Sequence, residues 1–131
     1  MADAMYKPSQ ADAIAIDETA RLIASDKVQG TSVYNPNGEH LGSVHNFMVD
    51  KLSGKVDYAV MSFGGFLGLG ERYYPLPWQT LKYDEHLGGY VVSVDRATLE
   101  NAPSYTLEEL PWSDPAYGRN VHNHYGVPYY L

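Results

Sequence analysis

Cysteine is absent from the 131 residues of the chain, which excludes disulfides, thiolate nucleophiles and Cys-ligated metal sites. That composition fits a reducing compartment. Basic residues are also sparse: Lys and Arg number 9 against 16 Asp and Glu, for a formal net charge of −7. They are scattered along the chain, so neither a phosphate-tracking stripe nor a patch for anionic lipid is expected. No window approaches the roughly 18 apolar residues of a membrane span. The first twenty residues, MADAMYKPSQADAIAIDETA, lack the basic start and apolar run of a secretory signal. The expected location is the cytoplasm, with no membrane insertion and no direct nucleic-acid contact.

What is present is apolar: 44% of residues are hydrophobic and 19% charged, enough to close one small core in a chain of single-domain length. Residues 1–20 read as an arm, either a frayed terminus or, through the apolar patch Ala13 to Ile16, a strand offered to something else. From Thr31 onward short β-type runs alternate with turn residues. TSVY is followed by NPNGE, whose Asn37-Gly38 pair suits the positive φ of a tight hairpin. LGSVHNFMVD makes a second strand, KLSG (Lys51 to Gly54) a second turn, and KVDYAVMSF a third strand. Val56, Tyr58 and Val60 fall on one face of that strand and Ala59, Met61 and Phe63 on the other. Apolar faces on both sides predict a strand curled within a small barrel.

ERYYPLPW supplies a fourth strand, with its prolines at the margin because they cannot donate ladder hydrogen bonds. After it come a short turn at Trp78 to Leu81, a loop closed by Gly88-Gly89, a strand from Tyr90 to Val94, and one or two helical turns in RATLENAP. The expected fold is mainly β: a small antiparallel barrel of about six strands with short helical turns and an aromatic C-terminal tail. The boundaries read as an arm over 1–20, a barrel over 21–105 and a tail over 106–131. With Trp112, Tyr117, Tyr125, Tyr129 and Tyr130, that tail is too aromatic to stay unpacked, and it is expected to cover either the barrel or a partner subunit.

NPNGEHLGSV, SGKVDYAVMSFGGFLGLGERYYPLPWQTLKYD and GGYVVSVD together resemble the PRC-barrel domain, from about Lys27 to Tyr105. That domain occurs in the cytoplasmic part of the photosynthetic reaction centre H subunit and in a ribosome maturation factor. The glycine-rich block, the Leu-Pro-Trp and the Tyr-Asp pair are its most specific part, and they resemble the stand-alone bacterial branch. His45 departs from the acidic or small polar residue the pattern leads one to expect. The resemblance implies a barrel that binds other macromolecules and brings no catalytic residue with it.

Glycines 64, 65, 68 and 70 raise the question of a phosphate cradle, but Gly70 is followed by Glu71 and a strand rather than by Lys-Ser/Thr and a helix. The block therefore reads as a wide hairpin loop displaying Phe66, Leu67 and Leu69, which fold back onto the barrel or meet a partner. The 5 histidines are read as scattered surface groups, with the HNH pair His122 and His124 sharing a face only if extended. Asp50, Asp57, Glu71, Asp84 and Asp95 fall at strand ends, where carboxylates accept turn N–H groups. Trp78 is expected to plug one end of the barrel. No nucleophile elbow is present, so no enzyme, cofactor or metal is expected. The expectation is a binding or scaffolding module that forms a homodimer, with Phe66, Leu67, Leu69, Trp112, Tyr125, Tyr129 and Tyr130 as contact residues. The alternatives are an accessory role in ribosome maturation and a regulatory role beside a membrane electron-transfer complex.

Overall fold

Turn chemistry sets the first hairpin. Asn35 Oδ1 accepts the backbone N–H groups of Asn37 at 3.0 Å and Glu39 at 2.9 Å, and Gly38 adopts a φ of 84°. This turn joins β1 (Ser32–Tyr34) to β2 (His40–Val49). A second turn, in which Asp50 Oδ1 accepts the Leu52 N–H at 2.9 Å, leads to β3 (Val56–Phe63). These elements belong to a computed structural model that describes residues 21–63 and 71–129. The arm over 1–20 and the glycine-rich segment between β3 and β4, with Phe66, Leu67 and Leu69, lie outside the described residues, as does Tyr130.

β4 (Arg72–Pro77) pairs antiparallel with β3, from Phe63 opposite Arg72 to Tyr58 opposite Pro77. A 3-10 turn at Trp78–Thr80 then feeds β5 (Leu81–Asp84) and β6 (Gly89–Val92). β5 is the strand that the pattern misses: Leu81, Lys82, Tyr83 and Asp84 offer only two alternations, too few to stand out from the turn expected there. α1 (Ser25–Val28) precedes the sheet, and α2 (Arg96–Glu100) follows it. Asp95 caps α2 by accepting the Thr98 N–H at 2.8 Å, and that bond holds its carboxyl below the usual carboxylate range.

The six strands form one sheet in the order β4-β3-β2-β1-β6-β5. In a flat sheet the outermost strands would stand about 24 Å apart, yet β4 and β5 are joined by the three residues Trp78–Thr80, whose four backbone steps from Pro77 to Leu81 reach at most about 14 Å. The sheet must therefore curl into a half-barrel. It is mixed, not purely antiparallel, because β1 and β6 run parallel, Val33 opposite Tyr90 and Tyr34 opposite Val91. No hairpin links those two strands. The direction of β6 is set by its hairpin with β5, and the intervening strands supply the crossover that parallel pairing needs.

The concave side holds the core, with Val33, Leu41, Val44, Met61, Tyr74, Leu76, Tyr90 and Val92 closed over by Val28 and Leu99 from the two short helices. The convex side of β3 and β4 is buried too, so Tyr58, Ala59, Val60 and Met61 are consecutively buried. The cause differs from a strand curled wholly within a barrel. A C-terminal segment lies over that outer face.

Candidate interaction surfaces

That segment begins where the isolated bridge between Tyr73 and Tyr105 extends the outer edge of β4, with backbone bonds of 2.8 and 3.0 Å. Beside the bridge, Arg72 donates from Nε to Ser104 Oγ at 2.7 Å and from Nη2 to the Ser104 carbonyl at 3.1 Å. A 3-10 turn at Pro111–Ser113 and α3 (Pro115–Tyr125) follow. Asp114 caps α3 through the Ala116 N–H at 2.9 Å, Pro115 takes the first helical position and Gly126 ends the helix. The sequence reading treats this stretch as a tail and misses the helix. Its signals were there: Asp-Pro at the start, Gly at the end, and Tyr117, Gly118, Val121, His122 and Tyr125 recurring on one face.

Trp112 lies against the chain's own rings, 5.0 Å from Tyr58 and 5.4 Å from Tyr117, and its indole N–H donates to Tyr105 Oη at 3.3 Å. Tyr129 lies 4.9 Å from His122, and the Arg119 guanidinium lies over the Tyr129 ring at 5.6 Å. Tyr125 packs against the core cluster. His122 is 3% exposed, which corrects the expectation of a surface histidine: its stripe position on a helix turns it toward the sheet. Since a carbonyl only accepts, the 2.8 Å contact to the Gly118 oxygen places the proton on Nδ1. Tyr58 Oη, 3.3 Å away, shares that same proton. His124 does not share the face of His122 and donates from Nε2 to the Thr98 carbonyl at 2.7 Å.

Burial dominates the electrostatics of this layer. It pushes the hydroxyls of Tyr58, Tyr117 and Tyr125 well above the usual tyrosine range and raises Tyr105 as well. Asp57 is raised first by burial and then by the neighbouring Asp50, with His122 partly opposing. The hydroxyl oxygens of Tyr117 and Tyr125 are buried with no hydrogen-bond partner among the described residues. Its polar atoms face rings and backbone: the Trp112 indole meets Tyr105 and Tyr58, and His122 meets the Gly118 carbonyl and Tyr58. Among the described residues no cluster of three or more metal-binding side chains occurs, and no helix is long and apolar enough to cross a membrane.

The opposite border of the sheet differs. Trp78 does not plug the barrel. It lies at the rim, 37% exposed, with its ring edge-on to Phe47 at 5.3 Å and to Tyr90 at 5.8 Å. Tyr83, 45% exposed, meets the same Tyr90 at 5.3 Å, and Leu87 is 38% exposed. Proline at 77 directs the chain away from β4 before the indole can turn inward, and the small space inside is already filled by Met61 and Leu76. Behind this rim the outer face of β5 borders a groove of about 550 Å³ between the Asn35–Gly38 turn and the β5–β6 hairpin, with Lys82, Asp84 and His86 along it. Asp84 Oδ1 shapes that hairpin by accepting the N–H groups of His86 and Leu87 at 2.8 and 3.0 Å. Among the described residues no strand pairs with the outer edge of β5.

A family model for the PRC-barrel domain matches residues 21–99, more than half of the chain. No curated protein matches it.

Proposed function

Because the chain belongs to the PRC-barrel domain family, we propose that it is a binding or scaffolding module, not an enzyme, and that it associates with a second copy of itself. The observation that carries this reading is the difference between the two borders of the sheet. β4 is extended by the Tyr105 bridge and held by Arg72, whereas among the described residues no strand pairs with the outer edge of β5, beside exposed Trp78, Tyr83 and Leu87. An edge strand with unpaired N–H and C=O groups next to apolar side chains is a template for association. A two-fold partner satisfies both at once.

Trp112, Tyr125 and Tyr129 pack within their own subunit, against Tyr58, the core cluster and His122, so the proposed partner surface at β5 does not use them. Phe66, Leu67 and Leu69 form a second contact element in the proposal. Light scattering on the purified chain across micromolar concentrations is expected to give twice the 14.6 kDa chain mass. A mass that stays at that of one chain throughout overturns the reading.

A further inference from the structure

We infer that two copies join by pairing β5 with β5 in antiparallel register, with the two-fold axis at Tyr83. This rests on the self-association proposed above and adds its surface and register. β5 reads Leu81, Lys82, Tyr83, Asp84, with Lys82 and Tyr83 both exposed. Side chains alternate across a strand, so Lys82 and Asp84 share one face and Leu81 and Tyr83 the other. That assignment agrees with the β5–β6 register, in which Leu81 faces the buried Val92 and Tyr83 faces Tyr90.

In an antiparallel pair of identical strands, directly opposed residues must lie on the same face, so the two-fold axis falls at a residue opposed to its own copy. Only a few registers use the whole of so short a strand. Centring on Lys82 sets lysine against lysine, and centring on Asp84 sets aspartate against aspartate, which is unfavourable for directly opposed like charges. Centring on Tyr83 sets Lys82 against Asp84 of the second copy twice over, and the two tyrosines against each other. Centring on Leu81 opposes neither charge with its counterpart, so only the Tyr83 register sets unlike charges against each other. On the tyrosine face the exposed ring of Trp78 continues the contact through Tyr90. On the charged face the two grooves beside Lys82 meet across the axis. The result is one continuous sheet of about twelve strands through the dimer.

The absence of cysteine makes the test direct. Tyr83→Cys places a single thiol at the axis, where opposed Cβ atoms stand about 5 Å apart. A short bismaleimide is then expected to link two chains rapidly. Ser53→Cys, at the exposed turn between β2 and β3, is expected to link poorly under the same conditions. In the otherwise unmodified chain, Lys82→Glu turns both cross-strand attractions into repulsions and is expected to raise the dimer dissociation constant about tenfold or more. Circular dichroism should leave its fold unchanged, because Lys82 is exposed. If the parent chain is a dimer but Lys82→Glu dissociates no more readily and Tyr83→Cys links no faster than Ser53→Cys, β5 pairing is overturned while self-association stands. In that case Phe66→Asp with Leu67→Asp identifies the loop as the interface if it yields the monomer mass. A parent chain that is monomeric overturns both.

Discussion

Gly118 shows how closely the C-terminal helix approaches the sheet. A Cβ built there would stand 2.6 Å from Tyr58 Oη and 2.9 Å from Tyr129 Cε1, and Tyr58 is itself buried, so the ring cannot swing into solvent. Alanine is the better helix former by about 1 kcal/mol, but overpacking a filled site costs about 1–3 kcal/mol. Gly118→Ala is therefore expected to lower stability by about 1 kcal/mol, read as a reduced urea midpoint. A midpoint raised above the parent's would show that the helix stands off the sheet. Sequence reasoning does not find this residue, because a glycine chosen for close approach looks the same as one chosen for a turn. His122 was misread for a related reason: its type says surface, and its burial is tolerated because Nδ1–H donates to the Gly118 carbonyl one turn earlier, with Tyr58 Oη also within reach.

At the scale of elements, turn residues were the legible part. Asn35, Asp50 and Asp84 each accept nearby backbone N–H groups in the turns where the sequence set them. Of the elements missed, which include the single turn α1, β5 and α3 fail for different reasons. β5 is too short for its alternation to register, and it exists because it pairs with β6. α3 buries a stripe built of tyrosine, glycine, valine and histidine, which lacks the aliphatic periodicity that marks an amphipathic helix. Its boundary signals were stronger than its stripe. Asp114→Ala removes the acceptor of the Ala116 N–H and is expected to cost about 1 kcal/mol, seen as a lower thermal midpoint with Asp114→Ser close to the parent. Equal losses from both would show that the cap contributes nothing.

For the whole molecule, the C-terminal segment turns a half-barrel with a wet back into a layered structure buried on both sides of β3 and β4. Its buried tyrosines, with Tyr58 of β3 beneath them, are expected to set the alkaline limit of the fold. Burial raises the hydroxyls of Tyr58, Tyr117 and Tyr125 above the ordinary tyrosine value of about 10. The neutral form is thus favoured in the native state, and the unfolded chain loses protons first. The stabilisation is fully present below that value and falls as pH rises through it toward the native values. Urea unfolding followed from pH 8 to 11.5 should show stability dropping above about pH 10. Absorbance at 295 nm should show part of the tyrosine ionisation coinciding with unfolding. Ionisation of every tyrosine in a single early step, with the fold intact, would contradict that burial.

The sequence by itself determined the kind of fold and its punctuation: a small mainly β domain with turns at Asn37-Gly38 and Lys51–Gly54, because turn geometry and strand alternation are local properties of a few neighbouring residues. It also carried the family signature. Only the tertiary structure decided that β6 runs parallel to β1, that Trp78 sits on the rim, that His122 is buried, and that among the described residues one edge of the sheet is extended by a bridge while the other has no strand beside it. Each of those depends on which distant segment arrives at a given surface. Tyr105 reaches the edge of β4, and no described segment reaches that of β5. The physical reason is that an edge hydrogen bond or a buried ring belongs to two segments far apart in the chain, and neither one alone records the other's position.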